Sequence, residues 1–389
     1  MEQLTNKELD SSRESWPGLM EEAMALATSV LTAAPNPRVG CVLEKSGSVI
    51  GRGWHQRAGN AHAEVNAISD ASQSLVGATA FVSLEPCSHH GKTGPCTEAL
   101  IEAGISRVVI ASLDPNPKVS GSGVKRLQEA GIEVCQLVEF EGRARALNPG
   151  FYSRHELGRP FVRCKLAASL DGRTALSNGK SKWITGEQAR ADVQLLRARS
   201  CAVVTGINSI LVDNSALTLR PADFTSALQD SPENLSRLQA RLETLGQPLR
   251  VVLDSQLRTP PDAAILNDAN ALVITSEACA SQGLPGAEVV GLPATDKGVQ
   301  PASVLEFLFS RRSCNEILIE AGPTLSAAFL ELGLVDELVI FIGNRLLGSD
   351  GKPLLELGGL LEMDSTPEVE FLSAEKIGED LKIIARPKP

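Results

Sequence analysis

A chain of 389 residues with 43% apolar content has material for two ordinary cores, because domains run at roughly 100–200 residues each. Its formal net charge of −10 offers no basic footprint for a phosphate polymer, and one tyrosine and three tryptophans offer no aromatic track for a single strand, so small substrates are favoured over nucleic acid. No apolar run approaches the roughly 18 residues of a membrane span, and the eight scattered cysteines are too sparse for a disulfide scaffold, which predicts a reduced, cytoplasmic setting without a membrane partner.

The opening MEQLTNKELDSSRESW is polar and acidic, which predicts a loose extension over 1–15 and no signal peptide. From about Trp16 to Leu137 the apolar period alternates. Helical spacing in EEAMALATSVLTAA gives way to strand-like GCVLEKSGSVIGRGW, then helical AEVNAISDASQ, strand-like ATAFVSLEP, helical TEALIEAG, strand-like RVVIAS, helical VKRLQEAG and strand-like IEVCQLV. This predicts an α/β domain with helices packed on a sheet. The weakly periodic EFEGRARALNPGFYSRHELGRP, with its glycines, prolines and charges, predicts a junction, and the boundary is set near Asn148, giving domains 1–147 and 148–389.

The second alternation runs through PFVRCKLAAS, EQARADVQLLRARS, CAVVTG, LRVVLD, ALVITS, ASVLEFLFSRR, EILIEAG, TLSAAFLELG and ELVIFIGNRLLG. It closes on EVEFLSAEK and DLKIIARP, whose short link Ile377-Gly378-Glu379 predicts an antiparallel finish to a second α/β core. Residues 222–248 read as a surface helix in a long connection.

Chemistry concentrates in GNAHAEVNA and LEPCSHHGKTGPC. Residues two apart on a helix are about 200° apart, so His62 and Glu64 serve one site only if His62 stands at the helix entry. Pro86 ends a strand and leaves Cys87 on the loop at its tip, while Cys96 opens a helix whose N-terminus favours a thiolate. His62, Cys87 and Cys96 form a donor set that zinc accepts with a fourth position open. Zinc brings the pKa of water from about 15.7 to about 7, and Glu64 would carry the proton to a leaving nitrogen, as in zinc deaminases. Two other readings stand beside this one: a closed structural site completed by His89 or His90, and a redox pair, whose usual spacing is closer.

The second half lacks G-x-G-x-x-G, which disfavours a Rossmann dinucleotide site. Its most informative stretch is EILIEAGPTLSAAFLELG, a strand, a Gly-Pro turn and a helix whose first N–H groups suit phosphate oxygens.

The segments APNPRVGCV, GRGWHQRAGNAHAEVNAI, LEPCSHHGKTGPC and DPNPKVSGSGVKRLQEAGIEV resemble the deaminase half of the bifunctional riboflavin-biosynthesis deaminase/reductase family. That family inserts a longer loop between its zinc cysteines, in accord with the eight residues found here. RPFVRCKLAASLDGRTA, GKSKWITGEQARADVQLLRA, LVDNSALTLR, RVVLD and IEAGPTLSAAFL resemble the reductase half in order. The resemblance implies a cytidine-deaminase-like α/β/α sandwich followed by a dihydrofolate-reductase-like α/β domain. It also implies zinc on His62, Cys87 and Cys96, Glu64 as proton shuttle, and substrate contacts from Asn36, His55, His89, Lys92, Asp114 and Asn116. In the second half it implies NADPH against Ala167, Trp183, Ser209, Asp213 and the turn Gly322, Pro323, Thr324, Leu325, Ser326, Ala327 and Ala328. Ser181, Arg197, Arg220 and Glu320 would face the substrate, the two arginines converging on its phosphate.

The implied activity is hydrolytic removal of an amino group from a diaminopyrimidinone ribosyl phosphate, then reduction of the ribosyl group to a ribityl chain with NADPH. A homodimer through the reductase domain is a further implication. Departures from the family pattern are Asn214-Ser215 after Asp213, where Asp-Pro or Asn-Pro is usual, Ser209 where threonine is common, and Ala321 where a second glycine is frequent. Lys165 and Asp171 are the candidates for the proton donor in the reduction. The rival readings are a deaminase of polynucleotides or other nucleobases, and a zinc-stabilised binding protein without catalysis.

Overall fold

The computed structural model describes residues 11–90, 94–117, 119–268 and 270–388. The expected substrate residue Lys92 and most of the N-terminal extension lie outside them; Ser11–Ser15 form a single 3-10 turn that leads into the first helix. The chain divides into two compact units, Met1–Gly158 and Arg159–Pro389.

The elements of the first unit are α1 (Trp16–Ala27), β1 (Gly40–Lys45), β2 (Ser48–Trp54), α2 (Ala63–Asp70), β3 (Thr79–Val82), α3 (Cys96–Glu102), β4 (Arg107–Ile110), α4 (Ser122–Glu129), β5 (Glu133–Gln136), α5 (Glu141–Leu147) and α6 (Pro149–Glu156). Its five-stranded sheet has the order β2-β1-β3-β4-β5, antiparallel across β1 and parallel from β3 to β5. Successive strand residues point to opposite faces, and both faces are covered. Cys41, Leu43, Ala80, Val82, Val108 and Ile110 pack with Ala63, Ala67, Leu100 and Leu127, while Val42, Phe81 and Val109 pack with Trp16, Met20, Met24 and Ala144. This is the expected α/β/α sandwich.

The first helix starts earlier and stops sooner than EEAMALATSVLTAA predicts. Trp16, Met20, Ala23, Met24 and Ala27 form the buried stripe, and the Thr28 hydroxyl donates to the Ala25 carbonyl at 2.7 Å where the helix ends. The expected junction contains two helices, and the division falls ten residues beyond Asn148. That asparagine is buried in the first unit: its Oδ1 accepts the Arg38 N–H at 2.8 Å and its Nδ2 donates to the Arg38 carbonyl at 2.9 Å.

The second unit contains β6 (Phe161–Ser169), β7 (Arg173–Ala175), α7 (Glu187–Arg199), β8 (Ala202–Gly206), α8 (Ile207–Asp213), α9 (Pro232–Leu245), β9 (Leu249–Leu253), β10 (Ala271–Ser276) and β11 (Glu288–Leu292). After a short hairpin, β12 (Ala294–Thr295) and β13 (Gly298–Val299), come α10 (Pro301–Arg312), β14 (Glu316–Ile319), α11 (Pro323–Glu331), β15 (Glu337–Gly343), β16 (Lys352–Pro353), β17 (Val369–Ile377) and β18 (Asp380–Pro387). Nine strands form one sheet, β11-β10-β9-β8-β14-β6-β15-β18-β17. It is parallel as far as β15 and antiparallel through β18 and β17, which gives the expected finish. Val204, Val251, Ile317 and Ile319 pack with Val304, Leu308 and Phe329 on one face, and Val203, Val252, Val273 and Leu318 pack with Val193, Leu196 and Ile210 on the other. The helix expected within 222–248 is α9, whereas α8 and the edge strand β11 escaped the sequence pattern.

Close backbone approach decides one position in the first unit. A Cβ on Gly53 of β2 would overlap the Ala63 carbonyl oxygen and the Ala67 nitrogen of α2. Gly53→Ala should therefore displace the helix that follows His62 and carries Glu64, with an overpacking cost of about 1–3 kcal/mol. Thermal melts read the loss of stability, and the protein should bind less zinc per chain than the parent.

Candidate functional site

In the first unit β3 ends at Val82, and the chain continues through Leu84 and Glu85 to Pro86 and the loop bearing Cys87. His62 has extended backbone, φ −75° and ψ 169°, and immediately precedes α2, whose first turn carries Glu64. The entry position required for His62 and Glu64 to share a site is thus met. Cys96 is the first residue of α3, as expected, and its backbone N–H donates to the Cys87 sulfur at 3.4 Å.

The three donor atoms of His62, Cys87 and Cys96 lie within 4.8 Å of one another. His62 Nδ1 is 3.6 Å from Cys87 Sγ and 3.3 Å from Cys96 Sγ. Bonds of about 2.05 Å to nitrogen and 2.3 Å to sulfur at a tetrahedral angle would hold those atoms roughly 3.5 Å apart, so the residues present fit a zinc ion. Hydrogen bonding from Cys96 and His62 overcomes burial and holds the Cys87 thiol down at about 4. The hydrogen bond to Cys87 and burial push the Cys96 thiol up.

Glu64 is 3% exposed, and burial with the neighbouring Cys87 charge raises its carboxyl to about 7. It lines a cavity of about 170 Å³ together with His62, Cys87, Asn36, His55, His89, Asp114 and Asn116, which are all the expected first-site residues in the described chain except Cys96. Asn36 Nδ2 lies 3.1 Å from His55 Nε2, and His55 Nδ1 lies 3.0 Å from the Ala61 carbonyl. The amide donates to Nε2 and the carbonyl accepts from Nδ1, which fixes one neutral tautomer, and burial lowers the pKa of the ring. Burial lifts Asp114 to about 6, against the hydrogen bond from the Asn116 N–H at 2.7 Å.

Six lining residues were not among those expected: Pro37, Val39, Leu84, Glu85, Val119 and Phe151. Glu85 accepts backbone N–H groups from Asp114, Gly121, Gly123 and Val124 at 2.9–3.1 Å. Phe151 lines the cavity from α6, and Val119 lines it from the loop before α4. Glu85 stands in LEPC beside the predicted ligand, but local pattern could not reveal that its partners lie about 30 to 40 residues away.

In the second unit a cavity of about 1140 Å³ is lined by residues at the carboxyl ends of parallel strands, the usual position for ligands in open α/β sheets. Ala167, Ser181, Ser209, Asp213, Glu320, Gly322, Pro323, Thr324, Leu325 and Ala328 line it as expected. Ser326 and Ala327 do not: they lie on the buried face of α11, at 0% and 1% exposure. Trp183 also stands outside the lining, half exposed, with the Arg190 guanidinium 4.4 Å from its ring centroid.

The expected convergence of two arginines on a phosphate is not what the side chains do. The Arg197 fork is committed to Glu320 by two bonds of 2.8 Å, with a third donor on the Thr218 carbonyl at 2.9 Å. Arg220 is half exposed and 3.3 Å from Asp223, and neither arginine lines the cavity. Burial would raise the Glu320 carboxyl, but the Arg197 charge and hydrogen bonds, helped by Lys165, bring it down to about 2. Lys165, on β6, lines the same cavity, and burial lowers its pKa despite the nearby Glu320 charge. Asp171, the other candidate acid, is held near 2 by the Ser169 hydroxyl and the Leu347 and Gly348 N–H groups, and it lies outside the cavity lining. A carboxyl so low holds no proton to give at neutral pH.

Comparison with known proteins agrees with the division of chemistry between the units. The cytidine and deoxycytidylate deaminase zinc-binding region matches residues 14–112, and the RibD C-terminal domain matches residues 160–383. The riboflavin biosynthesis protein RibD of Escherichia coli is 44% identical over 363 residues, covering 93% of this chain and 96% of its own. Among solved structures, Acinetobacter baumannii RibD has a TM-score of 0.84 at 38% identity, covering 97% of this chain and 99% of its own. A deaminase/reductase from Thermotoga maritima has a TM-score of 0.82 at 32% identity, covering 97% of this chain and 100% of its own. With both halves matched in one chain and in the same order, this protein belongs to the RibD family, bifunctional enzymes of riboflavin biosynthesis that join a zinc-dependent deaminase to a reductase.

Proposed function

We propose that the first site removes an amino group from a diaminopyrimidinone ribosyl phosphate and the second reduces the ribosyl group of the deaminated product with NADPH. The observation that carries the reading is the spacing of His62, Cys87 and Cys96 around a point next to the buried Glu64. Zinc bound to those three residues supplies a Lewis acid that makes water acidic at neutral pH. Glu64 takes a proton from the attacking water and delivers it to the departing nitrogen, so water enters and ammonia leaves. Asn36, His89, Asp114 and Asn116 hold the ring and its substituents by hydrogen bonds, and neutral His55 orients the Asn36 amide.

At the second site bound NADPH would supply the hydride for reduction of the ribosyl carbonyl, and the protein would supply the proton that the oxygen needs. Ala167, Ser209, Asp213, the turn after β14 and the N–H groups at the start of α11 would hold the cofactor, with Trp183 exposed outside the lining. Ser181 and Glu320 orient the substrate, Arg197 acting through Glu320. Lys165 donates the proton: its half-buried side chain lines the cavity, and its lowered pKa eases release.

The exposed edge strand β17 supports a homodimer through the reductase domain. Phe371 and Leu372 are 70% and 44% exposed, and an unpaired apolar edge is a ready surface for a second copy. A cytoplasmic location accords with eight free thiols, and among the described residues no helix is long and apolar enough to cross a membrane. The net charge of −10 argues against nucleic acid as a partner.

Mass spectrometry of the products tests the central reading. Zinc-loaded protein given the diaminopyrimidinone should release ammonia without NADPH, and the product should gain two hydrogens with it. Glu64→Gln should lower the deamination rate roughly 10²- to 10⁴-fold while zinc content and the reductase rate hold. No ammonia from zinc-loaded parent protein overturns the deaminase assignment.

The Arg197–Glu320 pair sets an acid limit on stability. Because the Glu320 carboxyl is about 2 when folded, against an ordinary 4.5, its contribution is complete above pH 4.5 and lost as pH falls through 2. Glu320→Gln should flatten that limb in urea unfolding from pH 2 to 7, and at neutral pH it should cost roughly 3–5 kcal/mol by leaving Arg197 unpaired.

In light scattering the parent protein should run as a dimer. Phe371→Glu should raise its dissociation constant at least about tenfold, since burying a large apolar side chain is worth about 1.5–3 kcal/mol. A parent protein that stays monomeric would remove the dimer from the account.

A further inference from the structure

The deaminase-region match ends at residue 112, but the deaminase pocket does not. Part of its wall comes from chain beyond that point, including the phenyl ring of Phe151 on α6, a helix in the stretch read from sequence as a junction. Phe151 is held by its neighbours on both sides. Asn148 makes its two bonds to the Arg38 backbone, and the Tyr152 hydroxyl lies 2.7 Å from the Ser112 hydroxyl, with Tyr152 only 4% exposed. One turn further on, the His155 ring meets Phe151 edge-on, centroids 4.8 Å apart and planes at 72°. The ring is therefore set in place before any ligand arrives.

The cavity volume of about 170 Å³ falls below the roughly 300–1,000 Å³ of a pocket that encloses a whole drug-sized ligand. It has room for a flat heterocycle and leaves the ribosyl phosphate outside. Asn36, Asp114 and Asn116 offer hydrogen bonds, which read the edges of such a ring and leave its tilt free. A face contact fixes the tilt, and Phe151 is the only phenyl or indole ring among the described lining residues.

We propose that Phe151 is the stacking platform for the pyrimidine ring of the deaminase substrate, holding the plane of the ring so that its amino-bearing carbon faces Glu64. This rests on the deaminase reading above and adds a specificity residue to it. Stacking depends on a π face, whereas filling space depends only on bulk, and the two separate experimentally.

The test compares Phe151→Leu with Phe151→Tyr in the zinc-loaded full chain, using the diaminopyrimidinone as substrate. Phe151→Leu keeps apolar bulk and loses the π face, so its KM for deamination should rise roughly 5- to 100-fold, the span of one base stacked on an aromatic ring. Phe151→Tyr should stay within about threefold of the parent, because its π face remains. Zinc content, and reduction of the deaminated intermediate supplied directly, should be unchanged in both. A KM within twofold of the parent for Phe151→Leu, or equal losses in the two variants, overturns the proposal. A parent protein that releases no ammonia fails the underlying reading instead, and the two failures are distinct.

Discussion

Glu85 is 3% exposed and commits both carboxylate oxygens to backbone N–H groups, those of Asp114 and Gly121 on one oxygen and of Gly123 and Val124 on the other. Two of these donors belong to the first turn of α4, where N–H groups have no partner within the helix. Glu85 is two residues before Cys87, so this network fastens the loop with one predicted zinc ligand to a helix N-terminus and to the segment bearing Asp114 and Asn116. Hydrogen bonds to a charged group contribute about 1.5–3 kcal/mol each, and losing the acceptor would leave four donors to be satisfied elsewhere. The approach is close: a Cβ on Gly123 would overlap the Pro86 carbonyl. The loop with Cys87 and the segment with Asp114 and Asn116 are therefore positioned by one buried carboxylate.

That dependence explains how much of the site the sequence made legible. His62, Glu64, Cys87 and Cys96 could be singled out because their expected roles follow from local position: a helix entry, its first turn, the loop some residues beyond the end of β3 at Val82, and a helix start. Alternating apolar periods likewise identified the main strands and helices of both units, since each buries a face set by its own period. Glu85 and Phe151 were not legible because their roles come from partners far along the chain. The junction helices α5 and α6 were read as linker for a related reason. Their sequence is weakly periodic, and what holds α6 to the first unit is the pairing of Asn148 with Arg38 and of Tyr152 with Ser112, contacts that span 110 and 40 residues.

In the second unit, most residues named by the resemblance fall on one cavity, but the charged ones are disposed differently from the expectation. Ten of the expected residues line it, but Arg197 spends its fork on Glu320, and α11 turns Ser326 and Ala327 into the core. The pairing has a physical sense. A largely desolvated carboxylate beside Lys165 would be costly alone, and the bidentate guanidinium keeps it ionised, so that Glu320 faces the cavity as a fixed negative charge next to a half-buried amine. An anion at that place would favour the protonated amine, and burial opposes it; the balance sets how readily Lys165 gives up a proton.

The departures from the family pattern bear on the same cavity, and the backbone shows why they are tolerated. Asn214 caps α8 in the left-handed region at φ 46°, a conformation that asparagine adopts more readily than most residues, and its Oδ1 accepts the Ala264 N–H at 2.8 Å. Ser215, where proline is usual, donates its own N–H to the Ser209 carbonyl at 3.4 Å, a bond proline has no hydrogen to make. The turn gives up the rigidity of proline and gains a contact to the residue expected at the cofactor. Ala321 is not among the residues with positive φ, so its methyl group carries no backbone strain where glycine is frequent. Ala321 bears on how closely a ligand approaches the turn after β14, whereas Asn214 and Ser215 shape the end of α8 beside Ser209 and Asp213.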